Sequence, residues 1–109
     1  MKDAKYVIEH TTHLDSFRVG DKHYSHVIDT KNDSTYIIDE DNNILFTVNS
    51  DAYAYDADGE RIGKFHYVGT ATSNNWRFVD TTNTELKYFP TWDLIKSETQ
   101  FFKELLSAK

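Results

Sequence analysis

The chain has no cysteine, a single proline, a single methionine and only four glycines in 109 residues. Without cysteine there are no disulfides, thiolate metal sites or cysteine nucleophiles, and the composition suits a reducing compartment. No apolar run approaches the roughly 20 residues a membrane-spanning helix needs. Residues 1–6, Met-Lys-Asp-Ala-Lys-Tyr, lack the apolar core of a secretory signal, so a cytoplasmic location is expected. Gly-rich phosphate loops, G-x-S-x-G elbows and H-E-x-x-H helices are missing, and the expectation is a protein that is not an enzyme and carries no cofactor.

Positive charge is also scarce. Twelve Lys and Arg stand against 18 Asp and Glu, a net charge of −6. Between positions 29 and 60 the acids are Asp29, Asp33, Asp39, Glu40, Asp41, Asp51, Asp56, Asp58 and Glu60, against Lys31 alone. A surface of this sign repels phosphates and lipid head groups, so direct binding to nucleic acid or membrane is disfavoured and a basic protein is the partner it attracts.

What the chain does have is aromatics, seven Tyr, seven Phe and two Trp, enough to build one core in a single domain of this length. It also has a repeated turn pattern: an apolar or aromatic residue, Asp, two variable residues, then Asn or Gly. The copies are Ile28-Asp29-Thr30-Lys31-Asn32, Ile38-Asp39-Glu40-Asp41-Asn42, Tyr55-Asp56-Ala57-Asp58-Gly59 and Val79-Asp80-Thr81-Thr82-Asn83. Asp at the start of a type I turn accepts local backbone N–H bonds, and Asn or Gly three residues on tolerates the left-handed conformation of a bulged hairpin. Runs rich in Tyr, Ile, Val, Phe and Thr flank each copy, which predicts an antiparallel meander of seven or eight strands, curled or barrel-like, closed by one C-terminal helix.

Strands are expected over residues 5–10, 23–28, 34–38, 44–48, 52–55, 61–68, 75–79 and 85–89. Residues 11–16 read as a polar connection, 17–19 as too short to assign, and 69–74 as a longer mobile loop. After Pro90, Ser97-Glu98-Thr99-Gln100 fits a capping box, and Phe101, Phe102, Leu105 and Leu106 form an apolar stripe, so the helix is expected over about residues 97–107, or from near Thr91 if Leu94 and Ile95 extend the stripe.

In a meander, alternate turns fall at the same end of the sheet. That places Asp39, Glu40, Asp41, Asp56, Asp58, Glu60 and Asp80 at one end, as an acidic rim able to dock a basic protein and raise its association rate. Tyr53, Tyr55, Tyr67 and Trp76 are the aromatic anchors expected to accompany the rim, since aromatics dominate interface energetics. The expected function is a stoichiometric protein-binding role: an intracellular inhibitor, immunity protein or phage-encoded antagonist. The same acids and hairpin-favouring residues are also what turn chemistry alone selects.

Two further classes stay open. In a small-ligand or metal-binding barrel, His10, His23, His26 or His66 would converge on an aromatic-lined cavity. The pairs His10/His13 and His23/His26 have a spacing that suits zinc on a helix but opposite faces on a strand. Asp39, Asp41 and Asn43 match the first positions of a calcium loop, but Ile44 and Ser50 replace the Gly and Glu that the loop needs. A structural subunit would instead self-associate through an exposed strand edge.

Residues 36–48, Tyr-Ile-Ile-Asp-Glu-Asp-Asn-Asn-Ile-Leu-Phe-Thr-Val, resemble the strand-turn-strand units of tubby-like and LURP-one-related β-barrels, whose hairpins surround a C-terminal helix. Residues 53–59, Tyr-Ala-Tyr-Asp-Ala-Asp-Gly, resemble a single YD-type repeat. Each resemblance covers little more than one hairpin and implies local turn geometry, with no activity carried over.

Overall fold

The computed structural model describes residues 9–108. Eight strands, β1 (Thr11–Val19), β2 (Lys22–Asp29), β3 (Ser34–Ile38), β4 (Ile44–Val48), β5 (Tyr53–Tyr55), β6 (Arg61–Gly69), β7 (Asn74–Val79) and β8 (Glu85–Phe89), precede one helix, α1 (Leu94–Ser107). The strands form a single antiparallel sheet in the order β1 to β8, as the turn pattern predicts. The sheet does not close into a barrel: β1 and β8 are its two edges among the described residues.

Alternation sets the inner face. The pairings His26↔Ile37↔Phe46 and Phe65↔Phe78 put these side chains on the side where α1 lies. α1 fills that face with Phe101 and Phe102. Phe101 stacks on Phe78 at 3.9 Å between ring centroids and meets Phe65 edge-on at 5.7 Å, while Phe102 stacks on Phe46 at 4.6 Å. Each of these buried rings contributes about 2–3 kcal/mol through removal of apolar surface from water. Gly63 is required beneath Phe78, because a Cβ there would run into that ring and the Val79 carbonyl.

Three turns share one construction. The carboxylate of Asp39 accepts N–H bonds from Asp41 and Asn43, Asp56 from Asp58 and Glu60, and Asp80 from Thr82 and Thr84. The residue three positions on, Asn42, Gly59 or Asn83, is left-handed with φ of 63°, 81° and 65°. Asn49 builds the same turn between β4 and β5, with Ala52 left-handed at φ 67°, a position that Asn or Gly occupies in the others. The first sequence copy differs: Asp33, not Asn32, is left-handed, because the chain from Asp29 to Ser34 makes a loop one residue longer.

Other expectations need correction. Residues 11–16 are strand, not connection: β1 is an edge whose exposed positions are polar, and a bulge between His13 and Asp15 breaks its alternation. The predicted strand at residues 5–10 lies mostly outside the described residues, and Glu9 and His10 form a turn. The expected loop at residues 69–74 is a short turn, closed by the Thr70 N–H donating to the Ser73 carbonyl and by the Thr70 hydroxyl. The helix starts three residues before the predicted capping box, with Asp93 as its cap accepting from the Lys96 N–H. Ser97 therefore lies inside the helix and donates to the Asp93 carbonyl, and Gln100 bonds forward to Glu104.

Candidate functional site

The meander puts the turns containing Asp21, Asp39, Asp56 and Asp80 at one end of the sheet. Within that end the carboxylates divide into two sets. Asp39, Asp56 and Asp80 are spent on their own turns, and Asp80 is held below the usual carboxylate range by the Thr82 hydroxyl first and then by the Thr84 and Thr82 N–H groups. Glu40 accepts the His23 N–H at 2.9 Å and so ties the β3–β4 turn to the start of β2. Asp21, Asp41, Asp58 and Glu60 are exposed and have no side-chain partner among the described residues. The bases near these turns include Arg18, which donates to the Gly20 carbonyl, Lys22, Arg61 and Lys64.

A depression of about 460 Å³ opens at this end. Tyr24, Leu45 and Leu106 give it an apolar floor, Asp39, Glu40 and Asp41 an acidic side, and Lys22 and His23 complete the lining. The sequence pointed to the acids but not to the floor, because Leu106 arrives from the far end of the chain. Asp56, Asp58 and Tyr55 line a separate depression of about 290 Å³.

The four aromatic anchors do not gather at this rim. Tyr53 and Tyr55 flank the buried Ala54 and face outward near it, but Tyr53 is covered by its own chain's Arg61 and Lys64, at 5.0 and 5.2 Å from the ring centroid. Tyr67 and Trp76 pack together at 5.0 Å toward the opposite end. There the Tyr67 hydroxyl donates to Asn74 and the Trp76 indole N–H donates to the Trp92 carbonyl. Trp92 itself, 72% exposed, is an aromatic that the sequence reading left out.

The histidines do not converge. His26 faces inward and is 1% exposed, whereas His66 faces outward, His23 lies at the start of β2 and His13 bonds Ser16. No group of three or more His, Asp or Glu side chains is placed to hold a metal ion among the described residues. His26 instead belongs to a buried network. Its Nδ1 lies 2.8 Å from the Thr99 hydroxyl and its Nε2 2.8 Å from Glu98 Oε1, which also accepts from the Thr35 hydroxyl at 3.0 Å. The Nε2 contact is short but out of line for a hydrogen bond, so the Thr99 and Thr35 hydroxyls supply the hydrogen bonds that hold the two side chains in place. With both groups 1% exposed, this acid–base pair meets no solvent and serves to seat α1 on β2 and β3.

A second polar cluster sits at the other end. Asp29 accepts from the Asn32 side chain, the Tyr36 hydroxyl and the N–H groups of Asn32 and Lys31, which together lower its pKa to about 2. Burial, reinforced by the bond to Asp29 and its charge, raises Tyr36 to about 12. All acceptors here are engaged in shaping the β2–β3 loop.

No helix among the described residues is long and apolar enough to cross a membrane. No protein-family model, curated protein or solved structure matches the chain, so the hairpin likenesses to tubby-like barrels and YD repeats stay local.

Proposed function

We propose that this chain is a non-catalytic protein-binding domain acting inside the cell, a stoichiometric inhibitor or antagonist that meets a basic protein with the acidic end of its sheet. The observation that supports this reading best is the depression between β2, the β3–β4 turn and α1, with its floor of Tyr24, Leu45 and Leu106 and its side of Asp39, Glu40 and Asp41. A lysine or arginine side chain has an apolar stem and a cationic head, and this site offers a surface to each. Asp41, Asp58 and Glu60, which have no side-chain partner among the described residues, then act as a steering rim, which raises encounter rate more than affinity.

The test is capture at low salt with the tagged wild-type chain and an Asp41→Lys/Asp58→Lys variant in parallel. The reading predicts a basic protein held in stoichiometric amount by the wild type, released as salt screens the rim, and absent from the variant. Equal recovery on both would overturn it.

A further inference from the structure

We propose that the end of the sheet opposite the acidic turns is a carbohydrate-binding platform, built from Tyr67, Trp76 and Trp92 and suited to a neutral β-1,4-linked glycan chain. The pairings Tyr67↔Trp76↔Phe89 lay one row across β6, β7 and β8 on the face where α1 lies. The helix covers the preceding row, where Phe101 packs on Phe65 and Phe78. Beyond it Tyr67 stays 44% exposed, and Trp92, just past β8, 72%. Tyr88 is exposed as well but belongs to the other face, paired with Arg77.

The rings are fixed before a ligand arrives. The Tyr67 ring lies across Gly69, where a Cβ would come within 2.7 Å of it, packs on Trp76 at 5.0 Å and has its hydroxyl tied to Asn74 Oδ1 at 2.7 Å. The Trp76 indole N–H donates to the Trp92 carbonyl at 2.8 Å. The Thr91 N–H to the Phe89 carbonyl and the Asp93 N–H to the Thr91 hydroxyl fasten the same segment. Aromatics held in this way lose little freedom on binding, which favours affinity at an open surface.

What surrounds the rings selects the ligand. In a chain with 28% charged residues, no Asp, Glu, Lys or Arg occurs from position 65 to 76 or from 88 to 92. The next charge, Asp93, is spent on capping α1. The exposed residues that follow Tyr67 in the β6–β7 turn are hydroxyls and amides, Thr72, Ser73 and Asn74 among them. An anion or a nucleic-acid strand needs cations that this end lacks. A proline-rich peptide docks in an aromatic-lined groove, and here the Tyr67 and Trp76 donors are engaged within the chain. A pyranose ring in a β-1,4-linked chain meets both features: its axial C–H groups are attracted to the negative faces of aromatic rings, and its equatorial hydroxyls pair with amides and hydroxyls at the rim. Asn74 Nδ2, which has no partner among the described residues, is a donor beside the Tyr67 ring for such a hydroxyl.

Trp76 and Trp92 are the only tryptophans, so their indole N–H resonances report on the platform directly. Titration of the full chain with cellohexaose and with chitohexaose is expected to shift both resonances to saturation with at least one of the two. Trp92→Ala removes an exposed ring but keeps the carbonyl that Trp76 holds, so circular dichroism stays unchanged while binding weakens about tenfold. Tyr88→Ala on the other face and Asp41→Lys/Asp58→Lys at the acidic end should bind as the wild type does, which separates this platform from the protein-binding reading. No saturable shift with either oligosaccharide, undiminished binding by Trp92→Ala, or shifts produced by phosphatidylcholine vesicles or a polyproline peptide in place of the oligosaccharides would each overturn the proposal.

Discussion

Glu98 Oε1 of the helix lies 2.8 Å from His26 Nε2 of β2, with both residues 1% exposed, and this contact fixes where the helix crosses the sheet. Glu98→Ala leaves His26 and the Thr35 hydroxyl facing a void, and the lost packing together with an unsatisfied buried hydroxyl costs about 2–4 kcal/mol. Glu98→Gln, which keeps the volume and an acceptor for Thr35, is expected to cost less. Urea midpoints for the two variants check this; a loss below about 1 kcal/mol for Glu98→Ala would show that the network carries no weight.

The Asp29–Tyr36 bond gives the fold a defined pH response. Asp29 has a folded pKa of about 2, below its ordinary value of 3.8, so its contribution is present above about pH 4 and fades as pH falls toward 2. Tyr36 has a folded pKa of about 12, above its ordinary 10.0, so its contribution is present below pH 10 and fades as pH rises toward 12. Unfolding free energies of the wild type and Tyr36→Phe should differ by a constant amount between about pH 5 and 9, and the difference should shrink on both sides.

Backbone positions make a paired prediction. Ala52 is left-handed at φ 67° where its sister turns use Asn or Gly, so Ala52→Gly should stabilise by about 1 kcal/mol. Gly63→Ala should destabilise by about 3 kcal/mol or more, since its Cβ meets the Phe78 ring. Thermal melts distinguish the two directions.

The acids of the rim separate by role. Asp56 holds two N–H groups of its turn and Asp58 has no side-chain partner among the described residues, so Asp56→Ala should cost about 1 kcal/mol and Asp58→Ala less than about 0.5. Equal costs would mean that the turn bonds do not distinguish them.

The local chemistry of the chain was legible and its long-range chemistry was not. Asp39, Asp56 and Asp80 announce their hairpins because the turn is decided within five residues, and short connections between the remaining strands complete the meander order. β1 was hidden because an edge strand wet on one side needs few apolar residues, and its bulge breaks the period. The helix start was misplaced because Ser97 and Gln100 match a capping box in sequence while Asp93 supplies the cap in space. Nothing in the local pattern joins His26 to Glu98, or Leu106 to Asp41; these meetings exist only once α1 lies across the sheet.

In the proposed function, partners meet the acidic end. Amide hydrogen exchange of the chain with its captured partner bound tests it most directly. The expected result is slowed exchange in the turns at residues 39–43 and 56–60 and at the start of β2, with residues 70–73 at the opposite end unchanged. Protection confined to residues 70–76 and to the segment around Trp92 would contradict it.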